Sequence, residues 1–139
     1  DSFKFRFWDK DLKDYMRSVN LDKVFDDKSV IAEQCTGLKD KNGTLIYEGD
    51  IVKKYTFIDY DGQGCEPDKY LDKVDIGVVY ITASKGVVLR RAKTLLTENP
   101  YKEKELLPKE KRYKATKLVA CRSEVVGNIH ENPELLGGK

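Results

Sequence analysis

Cys35-Thr36-Gly37-Leu38-Lys39-Asp40-Lys41-Asn42-Gly43-Thr44-Leu45-Ile46-Tyr47-Glu48-Gly49-Asp50-Ile51-Val52 is the stretch that decides the fold. It holds two turn signals. Asp40-Lys41-Asn42-Gly43 carries Asn-Gly, whose tolerance of positive φ suits a tight hairpin. Tyr47-Glu48-Gly49-Asp50 is the second, with Gly49 permitting a sharp bend. Short apolar-alternating runs flank both turns, and Ile51-Val52 open a strand that reaches Ile58. A glycine corner feeding a long curved strand is how a small barrel bends into shape, with Ile51 and Val52 plugging its interior.

Working outward, Phe3-Lys4-Phe5-Arg6-Phe7 alternates apolar and basic with period two, the pattern of a half-buried strand. Asp11 to Asp27 places Leu12, Tyr15, Met16 and Val19 at spacings compatible with one helical face, although a long loop or loose hairpin fits its weak propensity as well. Val30 to Gln34 reads as a strand. Val74 to Ile81 and Val87 to Arg91 flank Ser84-Lys85-Gly86 and form a hairpin. Lys102 to Leu107 suggests a helical turn ended by Pro108. Tyr113 to Arg122 and Glu124 to Ile129 return to β-type composition. Asn132-Pro133-Glu134-Leu135-Leu136-Gly137 reads as a helical turn with Asn at the N-cap and Gly at its end. The expected fold is mainly β: an antiparallel sheet forming a small barrel, with short helical turns. We read 1–139 as one domain, 1–34 being an N-terminal strand and extension and 35–139 the barrel region with its C-terminal turn.

Composition narrows the functional classes. A 36% charged fraction is high, yet 10% aromatic residues argue for a folded chain, since disordered chains are aromatic-poor. Residues 1–70 hold 12 Lys/Arg against 15 Asp/Glu, and residues 71–139 hold 14 against 9. That asymmetry steers an acidic partner, or the opposite end of a second subunit, or is a solvated surface. Three widely spaced cysteines, Cys35, Cys65 and Cys121, give neither a disulfide framework nor a metal motif, which suits a reducing cytoplasm. No run approaches the roughly 18 apolar residues of a membrane span, and no basic-then-apolar leader opens the sequence, so we expect no membrane partner.

Few motifs carry chemistry. Asp59, Asp61, Gln63 and Gly64 resemble the start of a calcium loop, but the twelfth position, where a bidentate Glu belongs, is Tyr70. The Asp59–Asp68 segment therefore reads as a surface loop. His130 is the single histidine and reads as edge packing; Cys35 and Cys121 read as small apolar residues in β-type segments. We assign no catalytic, metal or cofactor residue and expect no cofactor. The functional candidates are basic: Lys53, Lys54, Arg90, Arg91, Lys109, Arg112 and Lys114, close to Tyr55, Tyr101 and Tyr113. Small barrels bind nucleic acid by stacking bases on strand aromatics beside such cations. Charged strand edges that block aggregation explain the same residues. Leu135 and Leu136 are apolar near the C-terminal end and must be covered, either by the chain itself or by a second copy.

Four stretches also resemble the YopX family of phage- and prophage-encoded proteins: Lys4-Phe5-Arg6-Phe7-Trp8-Asp9, Thr36 through Gly43, Ile46 through Val52, and Val125 through Leu136. The resemblance implies a mostly β fold with an SH3-like barrel part and a setting in the bacterial cytoplasm during phage or prophage expression. It implies no assigned activity and transfers no site residue. Together these readings suggest a non-enzymatic binding or self-assembling module that forms a homo-oligomer, with nucleic-acid binding and a cryptic enzyme as the alternatives.

Overall fold

Two antiparallel sheets make up the structure, a computed structural model that describes residues 4–19, 21–26, 29–58, 70–96, 105–106 and 115–137. The first sheet has the order β2-β1-β3-β4, with β1 Phe5–Asp9, β2 Asp14–Tyr15, β3 Val30–Lys39 and β4 Leu45–Tyr47. The second has β10 (Ser123–Asn128), β5 (Asp50–Ile58), β6 (Tyr70–Thr82) and β7 (Gly86–Leu96) side by side. The short strands β8 (Glu105–Leu106) and β9 (Ala115–Lys117) both pair with the outer edge of β7. This second sheet curls into a half-barrel. Among the described residues no helix is long and apolar enough to cross a membrane.

The decisive stretch folds as its turn chemistry dictates. Gly49 has φ +85°, and a Cβ there would land on the Glu33 carboxylate, so the corner needs glycine for both backbone and space. Ile51 and Val52 follow, both fully buried, and they face opposite sides of the sheet. Val52 joins Ile46, Val79, Leu89 and Leu118 in one core. Ile51 joins Val74, Ile76 and Val78 in the other, which Leu135, Leu136 and Ile129 cover. Where β6 crosses β7, the register slips between Ile76 and Gly77. A side chain at Gly77 would enter the Arg90 carbonyl, so this glycine lets the bulge close.

Several local expectations are corrected. In Asp11 to Asp27 the hairpin reading holds over the single helical face: Tyr15 pairs with Trp8, and among the described residues of the segment Leu21–Asp26 forms a helix, α1. The Asp9 carboxylate accepts the amides of Asp11 and Leu12, and this turn chemistry outcompetes weak helix propensity and leaves Leu12 74% exposed. Glu105 and Leu106 add to the open edge of β7 instead of making a helical turn. The C-terminal turn, Pro133–Leu136, is 3-10, with Gly137 left-handed as expected. Asn132 does not cap it with its side chain; that oxygen turns back to accept the Asn128 amide at 3.3 Å. Cys121 is exposed in a 3-10 turn, Ala120–Arg122, not packed in a strand. The Asp59–Asp68 loop and Cys65 lie outside the described residues.

Candidate functional site

The densest gathering of ionisable side chains sits where the two sheets meet, and Glu33 is its centre. Strand register sets Arg6 of β1 opposite Glu33 of β3. Arg6 donates from Nε to Glu33 Oε1 at 2.8 Å and from Nη2 to Asp50 Oδ1 at 2.7 Å. The Tyr15 hydroxyl donates to the same Glu33 oxygen at 2.9 Å, and His130 Nε2 lies 2.9 Å from Glu33 Oε2. Asp50 accepts the Tyr47 amide through its second oxygen at 2.8 Å. The Arg6 guanidinium lies between the rings of Tyr15 and Tyr47, 4.6 and 4.7 Å from their centroids. His130 stacks on Trp8 at 4.6 Å with an 8° interplanar angle.

Burial opposes the charge on Arg6, but Asp50 and Glu33 outweigh it and hold the pKa above the ordinary value. Burial pushes Tyr15 well up, with Arg6 opposing and Glu33 adding to the rise. Burial also raises Asp50 against the bonds from Tyr47 and Arg6. Glu33 is 4% exposed and Asp50 2%. Their oxygens already hold donors, so neither carboxylate is offered to a substrate. A cluster of this kind fixes geometry; general acid–base work needs a group within reach of the reacting proton.

A second seam runs beside the first. Asp40 Oδ1 accepts the amides of Asn42 and Thr44, both at 2.9 Å, and its Oδ2 accepts the Val125 amide of β10 at 2.9 Å. The Lys41 amide donates to the Ser123 carbonyl at 2.9 Å. The hairpin turn of the first sheet is thereby pinned to the edge of the second.

The described basic candidates, Lys53, Lys54, Arg90 and Arg91, do not share one face. Alternation divides them between faces. Lys54 lies over the interior face, where its ammonium donates to Thr116 Oγ1 at 3.3 Å and to the Lys117 carbonyl at 3.0 Å. Burial lowers its pKa, with Asp75 opposing. Arg91 Nη1 approaches the buried Asp75 at 3.6 Å, on the oxygen that also accepts the Thr94 hydroxyl. Lys53 and Arg90 belong to the opposite face, where Arg90 is exposed. Tyr55 is engaged: its hydroxyl donates to Glu124 at 3.0 Å and Lys41 sits over its ring. Lys109, Arg112, Lys114, Tyr101 and Tyr113 lie outside the described residues.

Arg90 has neighbours the sequence did not single out. Tyr80 is 41% exposed and lines a groove of about 310 Å³ with Val78, Arg90, Arg91, Ala92 and Leu136. Its period-two relation to Val78 and Ile76 was visible, but its exposure was not. Glu33 and His130 were also missed as partners, being 97 residues apart.

Leu135 and Leu136 are half-buried on Ile51, Val74, Ile76 and Val78 of the same chain. Replacing both with alanine is expected to cost about 2 kcal/mol. A lowered melting temperature with an unchanged gel-filtration volume is the expected result; a shift to larger volume would place them between subunits.

The family model described as YopX protein matches residues 20–137. No curated protein matches the chain. Among solved structures, protein EF1440 from Enterococcus faecalis is similar, at 20% identity and a TM-score of 0.50, over 96% of this chain and 97% of that one. At that identity the likeness concerns the fold alone.

Proposed function

The chain belongs to the YopX family, and we propose that it works as a non-enzymatic binding module in the bacterial cytoplasm, in a phage or prophage setting. One observation carries this reading: the converging ionisable side chains are consumed in closing the two sheets, Glu33 alone accepting or facing three partners. The stretches that resemble the family meet at these same seams, as Arg6 and Trp8, Asp40, Asp50, and Val125 and His130. A shared signature of this kind supports a shared scaffold more than a shared reaction. What the scaffold leaves open on its outer strand face is cationic and aromatic, which suits holding a partner.

The test is crosslinking of the tagged chain in cells with an induced prophage, followed by mass mapping of the linked lysines. Links from Lys85, Lys93 and Lys117 to one partner are expected. Turnover of a small molecule by the wild-type chain, abolished by Glu33→Gln at a temperature where that variant is folded, would overturn the reading.

A further inference from the structure

We infer that the outer face of β6, β7 and β9 is a track for single-stranded nucleic acid, with Tyr80 as the stacking platform and Lys85, Arg90 and Lys117 as the phosphate contacts. The inference rests on the binding-module reading and names its partner. Register places these residues together. Tyr80 pairs with Val88 and Val88 with Lys117, making one row across three strands. Val78, Arg90 and Ala115 make the next row. Side chains within one row are neighbours across strands about 4.8 Å apart, and successive rows on one face lie about 7 Å apart along the strand.

Two grooves flank β7 along this face. The first, of about 310 Å³, holds Tyr80 and Arg90. The second, of about 240 Å³, is lined by Lys85, Val88, Ala115, Thr116 and Lys117. On this face their lining carries three cations, Lys85, Arg90 and Lys117, and no carboxylate; Arg91 borders the first groove but turns to the buried Asp75 on the other face. The larger groove of about 580 Å³ on the first sheet differs: Asp9 and Asp14 stand there beside Arg17 and Lys23. A chain with formal net charge of only +2 has thus sorted its cations, and the sorted face also exposes a tyrosine. Lys85, Arg90 and Lys117 are all exposed.

That combination selects the partner. Cations alone would suit any polyanion, including an acidic peptide. An aromatic ring beside them adds a surface on which an unpaired base stacks, and stacking tolerates any base. In a duplex the bases already stack on each other, and the described strands of this face present no helix or arm to enter a groove. A single strand is therefore the ligand that uses both features.

Fluorescence anisotropy with a labelled oligothymidylate about 16 nucleotides long tests the inference. Wild-type chain should bind at low salt, with a log–log salt slope of about −2 for three phosphate contacts. Tyr80→Ala should weaken binding about tenfold, and Arg90→Ala with Lys117→Ala should also flatten the slope. Lys10→Ala, on the first sheet, should leave binding unchanged. The mutated side chains are exposed, and matching melting temperatures confirm that the variants fold. Binding indifferent to Tyr80→Ala, tighter binding to a duplex of the same length, or a flat wild-type titration would each overturn the track. The flat titration would do so without touching the binding-module reading, which the crosslinking experiment decides.

Discussion

Glu33→Ala is expected to remove about 3–5 kcal/mol of stability, much of the 5–15 kcal/mol that holds a typical domain. The loss is large because the change strands partners instead of deleting a matched set. Arg6 keeps Asp50 at 2.7 Å but loses Glu33, while the Tyr15 hydroxyl and His130 Nε2 face a void. Water cannot easily replace the carboxylate at a site 4% exposed. Urea unfolding checks it, through the fall in midpoint at constant slope. Glu33→Gln keeps the volume and one acceptor, so it should cost roughly half as much. In a double-mutant cycle with Arg6→Ala, the combined loss should fall well short of the sum, since both changes break one network. A Glu33→Ala loss below about 1 kcal/mol would show that the two sheets do not depend on this junction.

The same junction shows what the sequence could reveal. Turn chemistry was legible, because Asn42-Gly43 and Gly49 act locally: both glycines have φ +85°. The strands β5, β6, β7 and β10 were legible for the same reason, their alternation being confined to a few residues, whereas the β8 stretch reads as a helical turn. Orientation was less so. The Phe-Lys-Phe-Arg-Phe alternation located β1 but not its inward side. Arg6 and the buried Trp8 face the junction, while Phe5 is 48% exposed. Period two defines two faces and leaves to tertiary partners which one is covered. Glu33 lies opposite Arg6 only because β1 and β3 pair across 27 residues, and nothing in either segment encodes the other. The placement of the basic candidates was hidden for a related reason: adjacent residues such as Lys53 and Lys54, or Arg90 and Arg91, look like one patch in sequence and point to opposite faces of a strand.

The seams explain why the stretches that resemble the family combine charged and glycine residues at sites without evident chemistry. Ile46 of the first sheet packs into the core of the second, and polar contacts at the joint add direction to that apolar packing. Trp8 and His130 supply stacked area, Arg6 and Glu33 supply direction, and Gly49 leaves the space they require. Tyr80, Lys85 and Lys117 lie outside those stretches, on the face the scaffold holds open.

Asp40→Ala should cost about 2–4 kcal/mol, because three backbone amides lose a charged acceptor and two of them hold the hairpin while the third belongs to β10. The expected loss has a pH signature that separates it from simple truncation. Burial opposes ionisation of Asp40, but the amides of Val125, Thr44, Asn42 and Gly43 outweigh it and hold its carboxyl below the ordinary value. A carboxyl depressed in the folded state binds fewer protons there than in the unfolded chain. Its stabilisation is therefore complete above the unfolded value, about 3.9, and drains away as pH falls through the folded one. Asp9, held down first by Lys23 and opposed by its burial, loses its contribution in the same direction. Melting temperature should thus fall as pH drops below about 4, an effect that Asp50, whose carboxyl burial holds up, offsets in part. Asp40→Asn removes one of these two carboxyls that the fold holds down, so its melting temperature should start lower and fall less steeply on acidification. An acid limb as steep as that of the wild type would mean that the charge on Asp40 does not hold the seam, and that the turn is kept by Asn42-Gly43 alone.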